Sequence, residues 1–507
     1  MEAFNQLKDD LREGRVDVER LFDVIATLQR QLTAAQQRIE ELEKQAGGPA
    51  ASAMTKVEEP FSMRAEDKRQ QARDKVKKRK PSRKRRRGRL GSADKIRLAE
   101  RTELCLPEGV PAKECYYSHT RPVWRLENGR AVLIAYQIYR GPKNQYGKIP
   151  DVLGRSEFGL EIVVEIAYFV YVIGLSFDKV CLMLRFLQGL PLGKTQADAL
   201  LRQLSRHWQH EFDGLCTLLA NSLVVHADET SWSINSVWAF LSEKARVLLF
   251  GVHKDAKTLE AILDPATFTG LVISDDAAVY ANFGRSQKCW AHLLRKAIKL
   301  TLQEPDNQEY RHCTDRLLEI YRQACQVQRD GRRSAAGRAE KVAELDDAIL
   351  DLCAPMWVLE LPPLEDGPEN DYRLLINEVM RLALEQELFT FVTAEPTTQP
   401  NGASQPVAGT NNEAERTLRG PAEARKTGRT NKTPVGARRQ TIIVSVLESL
   451  RLYLPEFTLT GVITEIHRWW QVGESCFTTL LTKMKLPLPS PSEAPSGLDK
   501  VLPIPDG

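Results

Sequence analysis

Between residues 223 and 296 the pattern of hydrophobic and polar positions holds two short apolar runs that each end on aspartate. Leu223, Val224 and Val225 lead through His226 and Ala227 to Asp228, and Leu271, Val272 and Ile273 lead through Ser274 to Asp275 and Asp276. Runs of this length, rich in β-branched residues and closed by polar ones, predict strands buried on both faces, and the carboxyl ends of such strands are where open α/β sheets place their chemistry. The block as a whole predicts a strand to Ala227, strands at Val237–Ser242 and Val247–Val252, a helix at Thr258–Asp264 and a strand at Leu271–Ser274.

The same pattern divides the rest of the chain. Residues 1–46 carry a seven-residue repeat, with Phe4, Leu11, Val18, Ile25, Leu32 and Ile39 at one position and Leu7, Leu21, Leu28, Ala35 and Leu42 at the other. Five such heptads predict a parallel two-stranded coiled coil, hence a homodimer through residues 4–42, or else one amphipathic helix packed on its own protein. Residues 47–99 read as a disordered basic linker. Residues 100–155 predict a small β-rich module, in which Asn128-Gly129 between apolar stretches signals a hairpin. Residues 156–222 predict helices: a stripe from Ile162 to Ile173, a second helix through Leu187 and a third from Thr195 to Trp208. The last two form either a helix-turn-helix that enters a DNA groove or part of a helical bundle.

Downstream, residues 297–409 predict an all-α insertion, with stripes such as Tyr310, Cys313, Leu317, Ile320 and Ala324, and then Leu375, Val379, Leu382 and Phe389. The Pro-, Thr- and Ser-bearing stretch 395–409 predicts a return loop. Residues 410–485 resume the core, with an amphipathic stretch at Ile442–Tyr453, and residues 486–507 read as a disordered tail.

A meander of three strands followed by a helix and a strand parallel to the first is the element order of a ribonuclease H-like core. That order brings the ends of the first and fourth strands together, and with them Asp228 and Asp275. Carboxylates held close repel one another unless a cation lies between them, and hard oxygen donors suit Mg²⁺. Two such ions, roughly 4 Å apart, serve phosphodiester chemistry. A third carboxylate is then expected, and Thr410-Asn411-Asn412-Glu413-Ala414-Glu415 offers two, each behind an asparagine able to cap a helix. Capping alone would also account for either glutamate.

Composition narrows the class. A chain of 507 residues with 42% hydrophobic content can bury sizeable cores. It holds no apolar run of membrane-spanning length and no signal-peptide pattern, so a cytoplasmic protein is expected. Its nine cysteines lack any Cys-x-x-Cys pair, which suits reduced thiols. Cys289 and His292 amount to half a zinc site with no second pair, and packing or a substrate contact by His292 fits them better. The net charge of +4 hides a basic arm. Between Glu66 and Arg89 lie 14 Lys or Arg against 3 acids, Lys84, Arg85, Arg86 and Arg87 among them. Such an arm points to a polyanion, with a solubilising tail as the plainer reading. A second basic crowd, Arg416, Arg419, Arg425, Lys426, Arg429, Lys432, Arg438 and Arg439, follows Glu415. It suits phosphate contacts, or an exposed charged loop.

Four motifs together resemble one family. They are His226-Ala-Asp-Glu-Thr with Val237-Trp238 downstream, Ser274-Asp275 ahead of Tyr280, Cys289-Trp-Ala-His292 with Arg295-Lys296, and Asn411-Asn412 followed by Glu415-Arg416. In order and spacing they resemble the IS66 family of bacterial insertion-sequence transposases over about residues 155–455. The resemblance implies a DDE domain of ribonuclease H-like fold, with Asp228, Asp275 and Glu415 as catalytic and metal-binding residues, two Mg²⁺ ions, and DNA (element ends and target) as partner. Arg295 and Lys296 join the DNA-binding candidates, and companion transposition proteins are further partners to expect. Two departures stand out: the family's Cys-x-x-Cys module is missing, leaving Cys105 and Cys115 ten apart, and Asp276 replaces the glycine that commonly follows the second aspartate. Asp275 is preferred over Asp276 because it precedes Tyr280 by five residues. The alternative is a catalytically silent DNA-binding or repressor protein on the same fold, against which the retention of all three carboxylates argues.

Overall fold

The structure, a computed structural model, describes residues 90–357 and 367–489. The heptads at 4–42, the basic arm with Lys84–Arg87, and the tail from 490 lie outside the described residues.

The first described region is a mixed sheet. Helix α1 (Ser92–Arg97) precedes β1 (Arg101–Cys105), β2 (Tyr116–Glu127) and β3 (Arg130–Arg140). The strand order is β1-β3-β2, with β1 parallel and β2 antiparallel to β3. The hairpin turns at Asn128 and Gly129, whose φ values of 50° and 76° are those an Asn-Gly pair tolerates.

Four helices follow: α2 (Leu160–Ala167), α3 (Phe177–Gln188), α4 (Lys194–His207) and α5 (Gln209–Ala220). A π-helical turn, Tyr168–Val172, extends α2. Ser176 caps α3 by accepting from Lys179 N, and Gly189 ends it at φ 72°. The apolar faces of these helices bury Val163, Val180, Leu184, Leu204 and Phe212 against one side of the central sheet.

That sheet has five strands: β4 (Val224–Ser231), β5 (Ser236–Ser242), β6 (Arg246–Val252), β7 (Leu271–Ser274) and β8 (Ser286–Lys288), in the order β6-β5-β4-β7-β8. The β4–β5 and β5–β6 pairs are antiparallel, and β4–β7 and β7–β8 are parallel. Short α6 (Ala256–Glu260) leads from β6 toward β7, where the sequence predicts a longer and slightly later helix. Strand β4 runs past Ala227 to Ser231, so Asp228 lies inside the strand, opposite Ala239, rather than beyond its end. Strand β8, Ser-Gln-Lys, is polar but fully buried, which is why an apolar pattern does not disclose it.

The sheet is covered on both faces. Val225, Ala227, Trp238, Phe240 and Val272 pack on the helices just described. Val224, Leu271 and Ile273 pack on the insertion: α7 (Trp290–Gln303), α8 (Gln308–Arg329), α9 (Ala335–Cys353), α10 (Pro368–Leu384) and α11 (Thr390–Thr393). The return segment carries a two-stranded ribbon, β9 (Thr397–Thr398) with β10 (Ser404–Gln405). It leads into α12 (Asn412–Lys426), α13 (Pro434–Tyr453), α14 (Leu459–Val472) and α15 (Cys476–Lys483).

Both sheet edges are closed by hydrogen bonds with neighbouring elements. On α13, Thr441, Ser445 and Ser449 recur every four residues and accept from Phe250, Leu248 and Arg246 N of β6 at 2.9, 3.0 and 2.9 Å. At the other edge, Lys288 N donates to Glu387 O and Thr390 Oγ1 to Ser286 O. An edge left bare would present unpaired donors and acceptors, so these contacts also lock the insertion and the C-terminal helices onto the sheet.

Candidate active site

Three carboxylates far apart in sequence are brought toward one another, Asp228 from within β4, Asp275 from just beyond β7 and Glu415 from the first turn of α12. Asp228 is half-buried in β4, and its Oδ1 accepts from Glu229 N at 2.9 Å. Asp275 follows β7 directly, and its Oδ1 accepts from Ala277 N at 3.1 Å. Glu415 stands in the first turn of α12. Burial, and after it the charge of Glu229, with smaller contributions from Asp275 and Glu415, push the Asp228 carboxyl up from 3.8 to about 7. This is the response of a half-buried carboxyl among like charges, and a divalent cation with hard oxygen ligands would relieve it.

The neighbouring acids are engaged elsewhere. Asp276 is exposed and pairs with Arg381, while Glu413 pairs with Arg246 at 2.8 Å. Glu415 accepts from Arg295 and lies 3.6 Å from His292 Nε2. Cys289, His292 and Glu415 each present a ligand atom within 4.8 Å of the others. Burial and the Arg295 charge lower the His292 pKa, and burial raises that of the Cys289 thiol. The thiol is already occupied, since it accepts from Asn411 N at 3.0 Å.

Asn411, an asparagine able to cap a helix, is the N-cap residue of α12, but its side chain makes no capping hydrogen bond. It is fully buried, its Nδ2 donates to Ala227 O at 2.7 Å, and its Oδ1 lies 3.2 Å from His226 Nδ1. Since the amide nitrogen is spent on Ala227, Oδ1 must be the acceptor and His226 Nδ1 carries the proton. Burial lowers the His226 pKa, in keeping with a neutral ring. Asn411 therefore fastens β4 beside Asp228 to the start of the helix bearing Glu415, whose N–H donates to Asn411 O.

The predicted cations are placed unequally. Arg295 joins the carboxylates through Glu415, whereas Lys296 is paired with Glu378 of α10. Arg416, Arg419 and Lys426 are exposed along α12, and Arg425 is bonded to Ser231 O at 2.8 Å. Arg416 also lines a cavity of about 630 Å³ between α12, α13 and the π-turn. Sequence reasoning missed Lys254, which lies two residues beyond β6 with its Nζ 2.6 Å from Glu229 Oε1. Its pKa is raised by that hydrogen bond and, more weakly, by the charges of Asp275 and Asp228. No sequence pattern marks it, because Glu229 lies within β4 and Lys254 lies in the segment after β6.

Among known protein families, the one described as "Transposase IS66 family" matches residues 155–439, more than half of the chain and all three carboxylates. The chain belongs to the IS66 transposase family. A comparison with curated proteins found no match. Among the described residues no helix is long and apolar enough to cross a membrane.

Proposed function

We propose that the chain is a DDE transposase, which cleaves DNA at the ends of an insertion sequence and joins the freed 3′ hydroxyl to target DNA. The observation that carries this reading is the joining of three carboxylate-bearing segments: β4 with Asp228 pairs in parallel with β7, which leads to Asp275, and Asn411 bonds Ala227 O of β4 at the start of the helix bearing Glu415. Three ionisable groups drawn from β4, β7 and α12 are thereby kept in electrostatic contact at a cost that an inert scaffold has no reason to bear. The sheet order β6-β5-β4-β7-β8, with one antiparallel meander and two parallel strands, supports a ribonuclease H-like core. The reading also takes the helical insertion as the segment that returns the chain to Glu415.

In this reading Asp228, Asp275 and Glu415 hold divalent cations, for which Mg²⁺ suits the all-oxygen donor set. Bound there, two Mg²⁺ ions supply an activated attacking oxygen and stabilise the leaving one. The protein's own part is positional. Asn411 keeps the Glu415 helix in step with β4, and buried Ala227 and Ser274 fix the backbone ahead of each aspartate. Arg295, which bonds Glu415 here, is placed to contact a phosphate if Glu415 were to hold a cation instead. Arg416, Arg419, Arg425 and Lys426, and the basic arm with Lys84, Arg85, Arg86 and Arg87, contact the DNA backbone. The heptads at 4–42 hold two copies together, matching the two ends that each event must process.

The test is strand cleavage and transfer on DNA carrying the element's own ends. Asp228→Asn, Asp275→Asn and Glu415→Gln should each lose on the order of a thousandfold or more in rate while keeping DNA binding, since each removes a charged ligand but little volume. Asp276→Asn and Glu413→Gln should stay within a few fold of the parent. Absence of metal-dependent activity in the parent would leave the silent binding protein as the better reading, and a dead Asp276→Asn beside an active Asp275→Asn would overturn the residue assignment.

A further inference from the structure

We propose that the end of the β1-β3-β2 sheet away from its hairpin is a stacking platform for unpaired DNA bases, built on Tyr116, Arg140 and Tyr146. It lies ahead of residues 155–439, which the family matches, and does not rest on the reading of Asp228, Asp275 and Glu415. Arg140, the last residue of β3, has Tyr116 as its antiparallel partner on one side and Tyr146 on the other. Residues directly opposite in antiparallel pairs send their side chains to the same face, so the order across the sheet is Tyr-Arg-Tyr. Neighbouring strands run about 4.8 Å apart, which sets the backbones of the two tyrosines roughly 10 Å from one another. The turn that brings Tyr146 back to β3 is fixed, since Gly141 N donates to Gln145 O and Gly147 N to Tyr139 O, both at 2.8 Å. Gly147 is pressed against the end of β1, where a Cβ would collide with Cys105 O. The row is therefore in place before any ligand arrives.

Exposed tyrosines by themselves need no ligand. The next cross-strand pair, Tyr117 and Tyr139, occupies itself: the rings meet edge to face with centroids 6.0 Å apart, and Tyr117 Oη lies 3.0 Å from Thr120 Oγ1. Tyr116 and Tyr146 are 63% and 50% exposed, and among the described residues neither has a ring contact or a side-chain hydrogen bond. The charges divide in the same way. At the hairpin end of the sheet the cations are neutralised, Arg101 by Glu127 and Arg130 by Glu100. At the tyrosine end Lys113, Arg140, Lys143 and Lys148 are exposed, and among the described residues none of them has an ion pair. The segments 107–120 and 137–150 set only Glu108 and Glu114 against these four, so positive charge is in excess.

Bare rings beside uncompensated cations are complementary to a ligand with flat faces on a polyanionic backbone. Duplex DNA does not meet that description, because its bases stack on one another and present only their edges in the grooves. Unpaired bases offer their faces, and every base has one, so stacking on tyrosine holds a single strand whatever its sequence. The row gives room for about two bases, with Arg140 and the three lysines at the phosphates. DNA is the nucleic acid to which membership of a transposase family points.

The experiment follows binding of the full chain to fluorescein-labelled oligothymidylate by anisotropy, with excess unlabelled duplex present to occupy other DNA-binding surfaces. Tyr116→Ala/Tyr146→Ala should bind the oligonucleotide on the order of a hundredfold more weakly, whereas Tyr116→Phe/Tyr146→Phe, which keeps both rings, should stay within about threefold of the parent. Arg140→Gln should make the plot of log affinity against log salt shallower by about 0.7. Affinity for duplex alone should be the same in the parent and both tyrosine variants. Should the double alanine variant melt well below the parent, the two single alanine variants, each expected to lose about tenfold, take its place. Oligothymidylate affinity within about threefold of the parent overturns the proposal and leaves the rings to serve a protein partner, and an equal loss of duplex affinity overturns it too. Oligouridylate bound about tenfold more tightly than oligothymidylate overturns DNA as the ligand. Asp228→Asn should bind oligothymidylate as the parent does, so failure here leaves the carboxylate reading standing, and a parent without metal-dependent cleavage leaves this one standing.

Discussion

Replacing Asp228 with asparagine should make the metal-free protein more stable while abolishing its chemistry. The folded carboxyl titrates at about 7 against an ordinary 3.8, so folding disfavours its ionised form. A raised acid contributes stability that is complete below pH 3.8 and is lost as pH climbs through 7. Some three pKa units at about 1.4 kcal/mol each set a ceiling of about 4 kcal/mol on that loss at pH 8. Water reaches a half-buried carboxylate, which brings the expected figure to about 2 kcal/mol. Asparagine avoids this loss and keeps an oxygen for the Glu229 N–H, now 2.9 Å from Oδ1. Urea denaturation in EDTA should place Asp228→Asn above the parent by about 2 kcal/mol at pH 8 and by less than half of that at pH 5. Magnesium reverses the order, because a ligand at a hundred times its dissociation constant stabilises the parent by about 2.7 kcal/mol and the variant far less. A variant no more stable than the parent at pH 8 in EDTA, with an unchanged denaturant slope, would refute the claim that Asp228 is strained by its surroundings.

Three further outcomes follow from the same geometry. Asn411→Leu strips buried Ala227 O and His226 Nδ1 of partners and should cost roughly 2–6 kcal/mol, whereas His226→Leu/Asn411→Leu should cost at least 1 kcal/mol less than the two single losses added together; additivity in urea melts would deny the contact. Ser445→Ala leaves the buried Leu248 N–H without its acceptor and should lower stability by about 1–3 kcal/mol, and a change under 0.5 kcal/mol would show that α13 does not close the edge of β6. His226 is held neutral by burial, so its share of stability is present above the ordinary pKa of 6.5 and declines as pH falls below it; His226→Leu should flatten that decline in melts between pH 7 and 5.

The parts of this protein that follow from periodicity were legible in the sequence. Apolar runs placed β4 and β7, the Asn-Gly pair placed the β2–β3 hairpin, and i, i+3, i+4 stripes placed α8 and α10. What was not legible depends on contacts between distant segments. Asn411 meets His226 across 185 positions, so a residue that looks locally like a cap spends its amide on another element. The hydroxyls of Thr441, Ser445 and Ser449 read as polar interruptions in an apolar helix until the edge of β6 lies beside them. Strand β8 is polar because its partners are the backbone and side chains of residues 387–391, which no local pattern discloses.

Strand β4 shows why the motif His226-Ala-Asp-Glu-Thr is a run rather than a single acid. In an extended strand adjacent side chains leave by opposite faces, so Asp228 and Glu229 meet different surroundings although their backbones are bonded neighbours. On one face His226 and Asp228 address α12, the first through Asn411 and the second through the charge of Glu415. On the other face Ala227 is small enough to pack beside Phe240, and Glu229 reaches Tyr280 and Lys254. Moving the register by one residue would exchange the two faces and send Asp228 into the aromatic core. The Trp238 and Phe240 rings, stacked 5.7 Å apart on the cross-strand positions of Glu229 and Ala227, oppose that slip and hold both acids to their faces.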